Sequence, residues 1–169
     1  KEITAQDYSK LPKPAQREAI ILDTSVQYNM ISAAYEDMGT EYNGKYIPIG
    51  AVINDNYITP KIRFGYGAYS GLVQTNNIAF MIASYRDPNI KETFDVYKGL
   101  PEFVRNIEIT QEELDRYILK AFSSCTATSG ELRGASNALN NYLMGETWED
   151  QLKLLNEIKS TTVQDIKES

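Results

Sequence analysis

The stretch that decides the fold is RFGYGAYSG, residues 63–71, followed by SYRDPN at residues 84–89. In the first segment Arg63 and Tyr69 lie six positions apart, among three glycines. Glycine allows sharp backbone bends, so this composition favours a turn that leads into a strand. On the residues alone, Arg63 is interpreted as a surface charge and Tyr69 as an aromatic residue at the rim of the core.

The second segment has the composition of a structural corner. Pro88 disfavours helix at the residue before it, and Asn89 with Glu92 three residues later is a helix-start pattern. We therefore predict that Asn89 caps a helix, and that Arg86 and Asp87 pair locally and fix the corner.

Outward from these segments, the chain predicts strands first and helices later. Residues 18–22 are rich in Ile, and Val26, Tyr28, Met30 and Ser32 alternate with polar or small residues, as in a half-buried strand. Residues 44–58 are apolar almost all round, which is typical of a buried helix, and Thr59-Pro60 is expected to end it. Residues 70–74 and 78–84 predict a hairpin around 75–77.

From residue 89 onward the pattern is helical, with an interruption expected at Gly99 and Pro101. Capping signals at Thr110, Thr147 and Thr161 predict the starts of later helices. Strands followed by helices predict an α+β fold, an antiparallel sheet with helices packed on one face. Residues 1–17, with two prolines, are interpreted as a linker or lead-in, and residues 18–169 as a single domain.

Composition narrows the class of function. The 169 residues are 42% hydrophobic and 24% charged, enough apolar side chain for a core. The net charge of -6 argues against nucleic acid or an anionic membrane surface as a partner, because both attract basic proteins. No apolar run reaches transmembrane length. A single cysteine, Cys125, gives no internal disulfide and favours a cytoplasmic location.

The chain contains no histidine. Transition metals in proteins are held mainly by His and Cys, so we do not expect this chain to hold a catalytic metal by itself. It opens on Lys1 and not on Met, which we interpret as a fragment of a longer protein.

Several segments together resemble the C-terminal half of the insulinase/pitrilysin family of zinc metallopeptidases, in the branch of the presequence proteases. That family shows, in order, a buried helix, an Arg-containing Gly-rich segment, a strand ending in Ser-Tyr-Arg-Asp-Pro, a helix starting near Glu-Thr and a late Gly-x-Thr. Here these occur at residues 44–58, 63–71, 78–88, 92–93 and 145–147. The resemblance runs from about Val26 to Ile166. Tyr66 and Ser70 stand where family members commonly have Gly.

The resemblance implies a fold and a function. Family members form a clamshell of two halves around a closed chamber. The N-terminal half binds zinc through an inverted His-x-x-Glu-His motif. The C-terminal half contributes an Arg and a Tyr that contact the peptide substrate. Carried over by position, these are Arg63 and Tyr69. The implied cofactor is zinc in the parent protein, with none bound by this chain, and the implied partners are the N-terminal half and a peptide. This fragment alone is expected to be inactive.

Two other hypotheses about the function of the chain are compatible with the sequence. The chain could belong to a catalytically inactive relative that keeps the fold and only holds peptide, which the altered Tyr66 and Ser70 would favour. It could also be a free-standing α+β interaction domain. A His-x-x-Glu-His motif upstream in the parent would support the peptidase reading.

Overall fold

A computed structural model describes residues 17–127 and 130–169. A first strand is followed by helical winding, then by two more strands and a series of helices. Helical segments pack against one face of the three-stranded sheet. The predicted α+β class with an antiparallel sheet is confirmed. The elements are β1 (Gln27–Ala34), α1 (Tyr46–Ile53), a π-helical segment (Asn54–Gly65), β2 (Ser70–Thr75), β3 (Ala79–Asp87), α2 (Lys91–Arg105), α3 (Gln111–Thr126), α4 (Glu131–Met144), α5 (Trp148–Lys159) and α6 (Val163–Glu168).

Apart from Arg17, the proposed linker at residues 1–17 lies outside the described residues. Across the part of the chain that the structure describes, no helix is both long and apolar enough to span a bilayer.

The sheet has β3 in the middle, in the order β1-β3-β2, with both pairs antiparallel. The predicted hairpin is confirmed: β2 and β3 pair in register, with Val73 opposite Ile82. On the other side of β3, Ile82 lies opposite Ile31. The face that carries Ile82, Ser84 and Gly71 is buried under the helices.

The strand at β1 is confirmed, but the face predicted to be buried is wrong. Tyr28 is 61% exposed and Met30 also faces outward, whereas Asn29 is only 6% exposed. The reason is that the Asn29 amide has buried partners in Ser84 and Asp87, which make the burial of a polar side chain possible.

The strand predicted at residues 18–22 is also wrong. This segment has no regular secondary structure, and its Ile20, Ile21 and Leu22 side chains are exposed. β-Propensity alone does not make a strand when no neighbouring strand supplies hydrogen bonds.

The predicted buried helix is confirmed, with Ile49, Val52 and Ile58 in the core, but it does not end at Thr59-Pro60. The helical winding continues as a π-helical segment to Gly65, with Pro60 inside it. A wider turn relieves the contact between a proline ring and the preceding turn, and the buried Ile62 keeps the segment on the core.

Helix α2 likewise runs through Gly99 and Pro101, so the predicted interruption is wrong. Its start is also different from the prediction: the N-cap is Ile90 and no side chain caps it. The missing side chain at Gly99 makes room for Tyr57, whose hydroxyl donates to the Val96 carbonyl at 2.8 Å. Close packing therefore explains a glycine that looks like a breaker in the sequence.

The capping boxes at Thr110 and Thr147 are confirmed, and the last helix is capped by Thr162, one residue later than predicted. We call α1 and the π-helical segment together the long helix. The short α6 is bound to the start of the long helix, because Lys45 forms an ion pair of 2.7 Å with Asp165 and Ile166 is fully buried.

Within the described ranges, one side of the helical layer presents large apolar side chains to solvent. Helix α4 exposes most of its large apolar side chains to solvent, and the only tryptophan of the sequence, Trp148, is 63% exposed at the start of α5. The exposed apolar residues of α4 are Leu132, Leu139, Tyr142, Leu143 and Met144.

Candidate functional site

The two predicted site residues lie at either end of one short connection. Arg63 is in the last turn of the π-helical segment, and Tyr69 immediately precedes β2. Both side chains are exposed, Tyr69 by 65%. We call residues 64–68 between them the Gly-rich turn. The structure therefore presents Arg63 and Tyr69 from neighbouring ends of one turn; their role in catalysis stays a prediction.

The Gly-rich turn is closed by its own backbone. The Gly67 N–H donates to the Arg63 carbonyl at 3.2 Å, and the Ala68 N–H donates to the Ile62 carbonyl at 3.1 Å. Ala68 is buried, and Gly67 has a φ of +77°, a conformation that suits glycine. These bonds hold the residues at the end of the turn close to the last turn of the π-helical segment.

Tyr69 is supported from the central strand. Its N–H donates to the Tyr85 carbonyl at 3.1 Å, and its ring meets the Tyr85 ring edge-on with centroids 5.8 Å apart. Tyr85 in turn meets Tyr28 at 5.0 Å, so Tyr69 ends a row of three tyrosines. Edge-to-face packing of this kind limits the motion of a ring while its hydroxyl stays accessible.

Arg63 has a different environment. Its guanidinium lies 5.6 Å from the centroid of the Phe64 ring. Among the residues that the structure describes, no carboxylate forms an ion pair with it. A guanidinium offers five donors in a planar fork, so Arg63 can meet an acceptor that approaches from outside the chain.

The two positions where glycine is common in the family do not require it here. Tyr66 has a φ of -115°, which any residue can adopt. In the described residues, Arg86 is the only residue other than glycine with a positive φ, so Ser70 also lies outside the left-handed region. The substitutions at Tyr66 and Ser70 therefore do not force a different backbone on the Gly-rich turn.

The corner at residues 84–89 is structural, as predicted, but its bonding is different. Asp87 is fully buried and accepts hydrogen bonds from Thr93 Oγ1 at 2.6 Å, Asn89 N–H at 2.8 Å and Asn29 Nδ2 at 3.1 Å. The predicted pairing of Arg86 with Asp87 is wrong. Arg86 has a φ of 48°, which turns its exposed side chain away towards the Tyr85 ring, 5.7 Å from its centroid.

The environment of Asp87 fixes its charge. Burial by itself would raise the pKa of the carboxyl group, but hydrogen bonds from Ser84, Thr93, the Asn89 backbone and Asn29 outweigh burial, and the pKa lies below its ordinary value. Asp87 is therefore a carboxylate that accepts bonds from the residues around it.

The prediction that Asn89 caps a helix is wrong, and its actual role was missed. Its side-chain amide donates to the Tyr66 carbonyl in the Gly-rich turn at 2.8 Å. Its own carbonyl accepts from Asn29 Nδ2 at 2.7 Å. The sequence contained one signal for the bond between Asn29 and Asn89. Asn29 lies between apolar residues in an alternating strand, and a buried polar side chain requires a hydrogen-bonding partner.

The side chains that usually hold catalytic metals are scarce in this chain. The sequence has no His and one Cys, and in the described residues no group of three or more His, Cys, Asp or Glu side chains could hold a metal ion. The residues present therefore lack the ligands that catalytic zinc requires.

Comparison with known proteins identifies relatives. The model of the PreP C-terminal domain family matches residues 17–169. Presequence protease 1 of Arabidopsis thaliana, named as chloroplastic/mitochondrial, is 29% identical over 158 residues, covering 92% of this chain and 14% of that protein. Protein HypA of Clostridium perfringens is 26% identical over 155 residues, covering 90% of this chain and 16% of that protein. The chain thus spans about one-seventh of the length of these relatives.

A solved structure is also similar. The inactive peptidase domain from Bordetella parapertussis aligns with a TM-score of 0.49 and 14% identity, over 88% of this chain and 87% of that one.

Proposed function

Because this chain belongs to the PreP C-terminal domain family, we propose that it is the C-terminal domain of a zinc metalloendopeptidase that cleaves peptides in a closed chamber. In this proposal the rest of the parent protein, in its N-terminal half, supplies the zinc ligands that this chain lacks. The observation that carries the proposal is the presentation of Arg63 and Tyr69, both exposed, from one closed turn.

The proposed role of the two side chains is electrostatic. Attack on a peptide carbonyl places negative charge on its oxygen, and donors already in position stabilise that charge without reorganising. The Arg63 guanidinium and the Tyr69 hydroxyl are such donors, and the buried Ala68 and the hydrogen bonds of the turn hold the backbone that carries them. Arg63 and Tyr69 would bind and orient the substrate carbonyl; they would not move a proton.

The experiment is steady-state kinetics on the full-length parent with an unstructured peptide. Tyr69→Phe removes one hydroxyl donor and keeps the ring, and Arg63→Lys keeps the charge and loses the planar fork. If both act on the developing oxyanion, kcat should fall roughly tenfold to a thousandfold, with unchanged zinc content and thermal stability. Tyr66→Phe is the matched control, because it removes an exposed hydroxyl from the same turn and should leave kcat unchanged.

Other outcomes separate the alternatives. A rise in KM with unchanged kcat would mean that the two residues hold the substrate in its ground state. Unchanged kinetics in both variants would contradict their role at the site. A different result would identify a catalytically inactive relative. In that case the wild-type parent would bind peptide, hold no zinc, contain no His-x-x-Glu-His motif and cleave nothing.

A further inference from the structure

Asn89 connects the buried corner to the Gly-rich turn. We propose that Asn89 is a positioning residue, whose side-chain amide fixes where the turn presents Arg63 and Tyr69. This inference rests on the proposed function of those two residues. It uses a contact between segments 23 residues apart that has no part in the helix cap expected at this position.

Three short hydrogen bonds hold Asn89, and its Nδ2 also lies 3.5 Å from Asp87 Oδ1. Its N–H donates to Asp87 Oδ1 at 2.8 Å, its carbonyl accepts from Asn29 Nδ2 at 2.7 Å, and its own Nδ2 donates to the Tyr66 carbonyl at 2.8 Å. The first two bonds fix the backbone of Asn89 on the rigid sheet and corner. The third bond is therefore made from a fixed base, and it ties the Gly-rich turn to that base.

The accepting carbonyl is at a sensitive position. Tyr66 is the residue at which the long helix ends, and it is followed by Gly67, whose positive φ reverses the chain. Tyr66 lies three positions after Arg63 and three positions before Tyr69. We therefore expect a shift of this carbonyl to change how the turn presents the Arg63 and Tyr69 side chains.

The base beneath Asn89 is well anchored. Asp87, which holds the Asn89 N–H, also accepts from Thr93 in α2, and Tyr97 of α2 donates to the Asn29 carbonyl at 3.2 Å. Helix α2 thus stabilises Asp87 and Asn29, and these two residues hold Asn89 in place. Arg86, with its positive φ, is the backbone bend that lets Asp87 point inward.

The substitution that tests the proposal is Asn89→Asp in the full-length parent. It keeps the shape of the side chain but replaces the donor by a carboxylate that cannot donate to the Tyr66 carbonyl. Because the new carboxylate also lies beside Asp87, the uncharged Asn89→Ala is measured with it. We expect kcat to fall roughly tenfold to a hundredfold, since misplacing a reacting group by about 1 Å has that effect. Asn77→Asp, which adds the same charge at an exposed turn residue, should leave kcat unchanged.

A double-mutant cycle separates positioning from a general structural role. If Asn89 acts only through the two site residues, Asn89→Asp should lower kcat much less in the Arg63→Lys, Tyr69→Phe background than in the wild type. Multiplicative losses would overturn the proposal. If the two site variants themselves have wild-type kinetics, the proposed function fails, and that result is distinct from a failure of Asn89.

Hydrogen exchange on the 169-residue chain provides a readout that does not depend on activity. The amides of Gly67 and Ala68 close the turn, so they should exchange at least several-fold faster in Asn89→Asp and in Asn89→Ala, while the Ile82 amide in the central strand is unchanged. Equal exchange at Gly67 and Ala68 in wild type and both variants would overturn the proposal. Faster exchange throughout, Ile82 included, would do the same, because it would show general destabilisation.

Discussion

Asp87 is a buried carboxylate that is stabilised by hydrogen bonds. Thr93, Asn29 and the Asn89 N–H donate to it, and among the described residues no cation pairs with it. Such bonds to a charged acceptor are stronger than bonds between neutral groups. The residue joins β3, β1 and α2, so its charge state bears on the stability of the corner.

Asp87→Asn should therefore destabilise the chain by about 1.5–3 kcal/mol at pH 7, since bonds to a charged group have that value. The folded pKa of Asp87 is lowered, so its contribution is complete above the unfolded value of about 3.9 and is lost as the pH falls through the folded pKa. The difference between wild type and variant should be largest at pH 7 and shrink below about pH 4. Urea unfolding followed by circular dichroism at several pH values measures it.

The control for this prediction is Asp37→Asn, at an exposed position in the turn after β1. A difference for Asp87→Asn that is independent of pH, or one that grows in acid, would contradict the prediction.

At the scale of residues, sequence reasoning identified the corner and missed its bonds. Proline and local spacing identify residues 84–89 as a corner because those effects are local. The partner Asn29 lies 58 residues before Asp87 and cannot be found from local spacing. The site residues Arg63 and Tyr69 came from a family resemblance, since the residues alone predicted only a turn.

At the scale of elements, two of the errors in the helices came from breaker residues. The long helix continues past Pro60 and α2 continues past Gly99 and Pro101, because buried side chains on either side keep each segment on the core. Breaker residues act on local free energy, and tertiary packing exceeds that contribution here. The helix starts at Thr110 and Thr147 were predicted correctly, because a capping box is complete within four residues, whereas the start of the last helix was predicted one residue early.

Gly99→Ala tests whether close packing explains the glycine in α2. Alanine would gain up to about 1 kcal/mol in helix propensity, but its Cβ would lie 2.5 Å from the Tyr57 hydroxyl. Tyr57 is buried, stacks on Phe103 at 4.6 Å and cannot move freely. We expect a net loss of about 1–3 kcal/mol in the free energy of unfolding.

The matched test is Gly99→Ala combined with Tyr57→Phe, which removes the hydroxyl that the new methyl group would meet. The second substitution should cost less in the Gly99→Ala background than in the wild type. A stabilised Gly99→Ala single variant would contradict close packing as the reason for glycine.

At the scale of the whole molecule, the residues that the structure describes form a folded core with one apolar side exposed to solvent. Helix α4 exposes Leu132, Leu139 and Leu143, and monomeric proteins rarely leave such a surface open. The helical pattern from residue 89 onward includes α4, but the sequence could not show that its large apolar side chains are exposed among the described residues.

The chain on its own should self-associate through α4. Replacing Leu139 and Leu143 by Gln should reduce association, measured by sedimentation across a range of concentrations. It should change the unfolding free energy by no more than about 0.5 kcal/mol, because surface substitutions have small effects. Leu119→Gln on α3 is the control, since Leu119 is also exposed but lies on another helix. Association that is unchanged by the α4 substitutions but lost with Leu119→Gln would contradict the prediction.

The exposure of Trp148 has a spectroscopic consequence. It is the only tryptophan, and 63% of its surface is in contact with solvent in the folded chain. Its fluorescence emission should therefore be red-shifted already in the native state and change little in wavelength when the chain unfolds. The same property makes Trp148 a reporter of assembly, since a blue shift in a larger protein would show that this side of the helical layer has been covered.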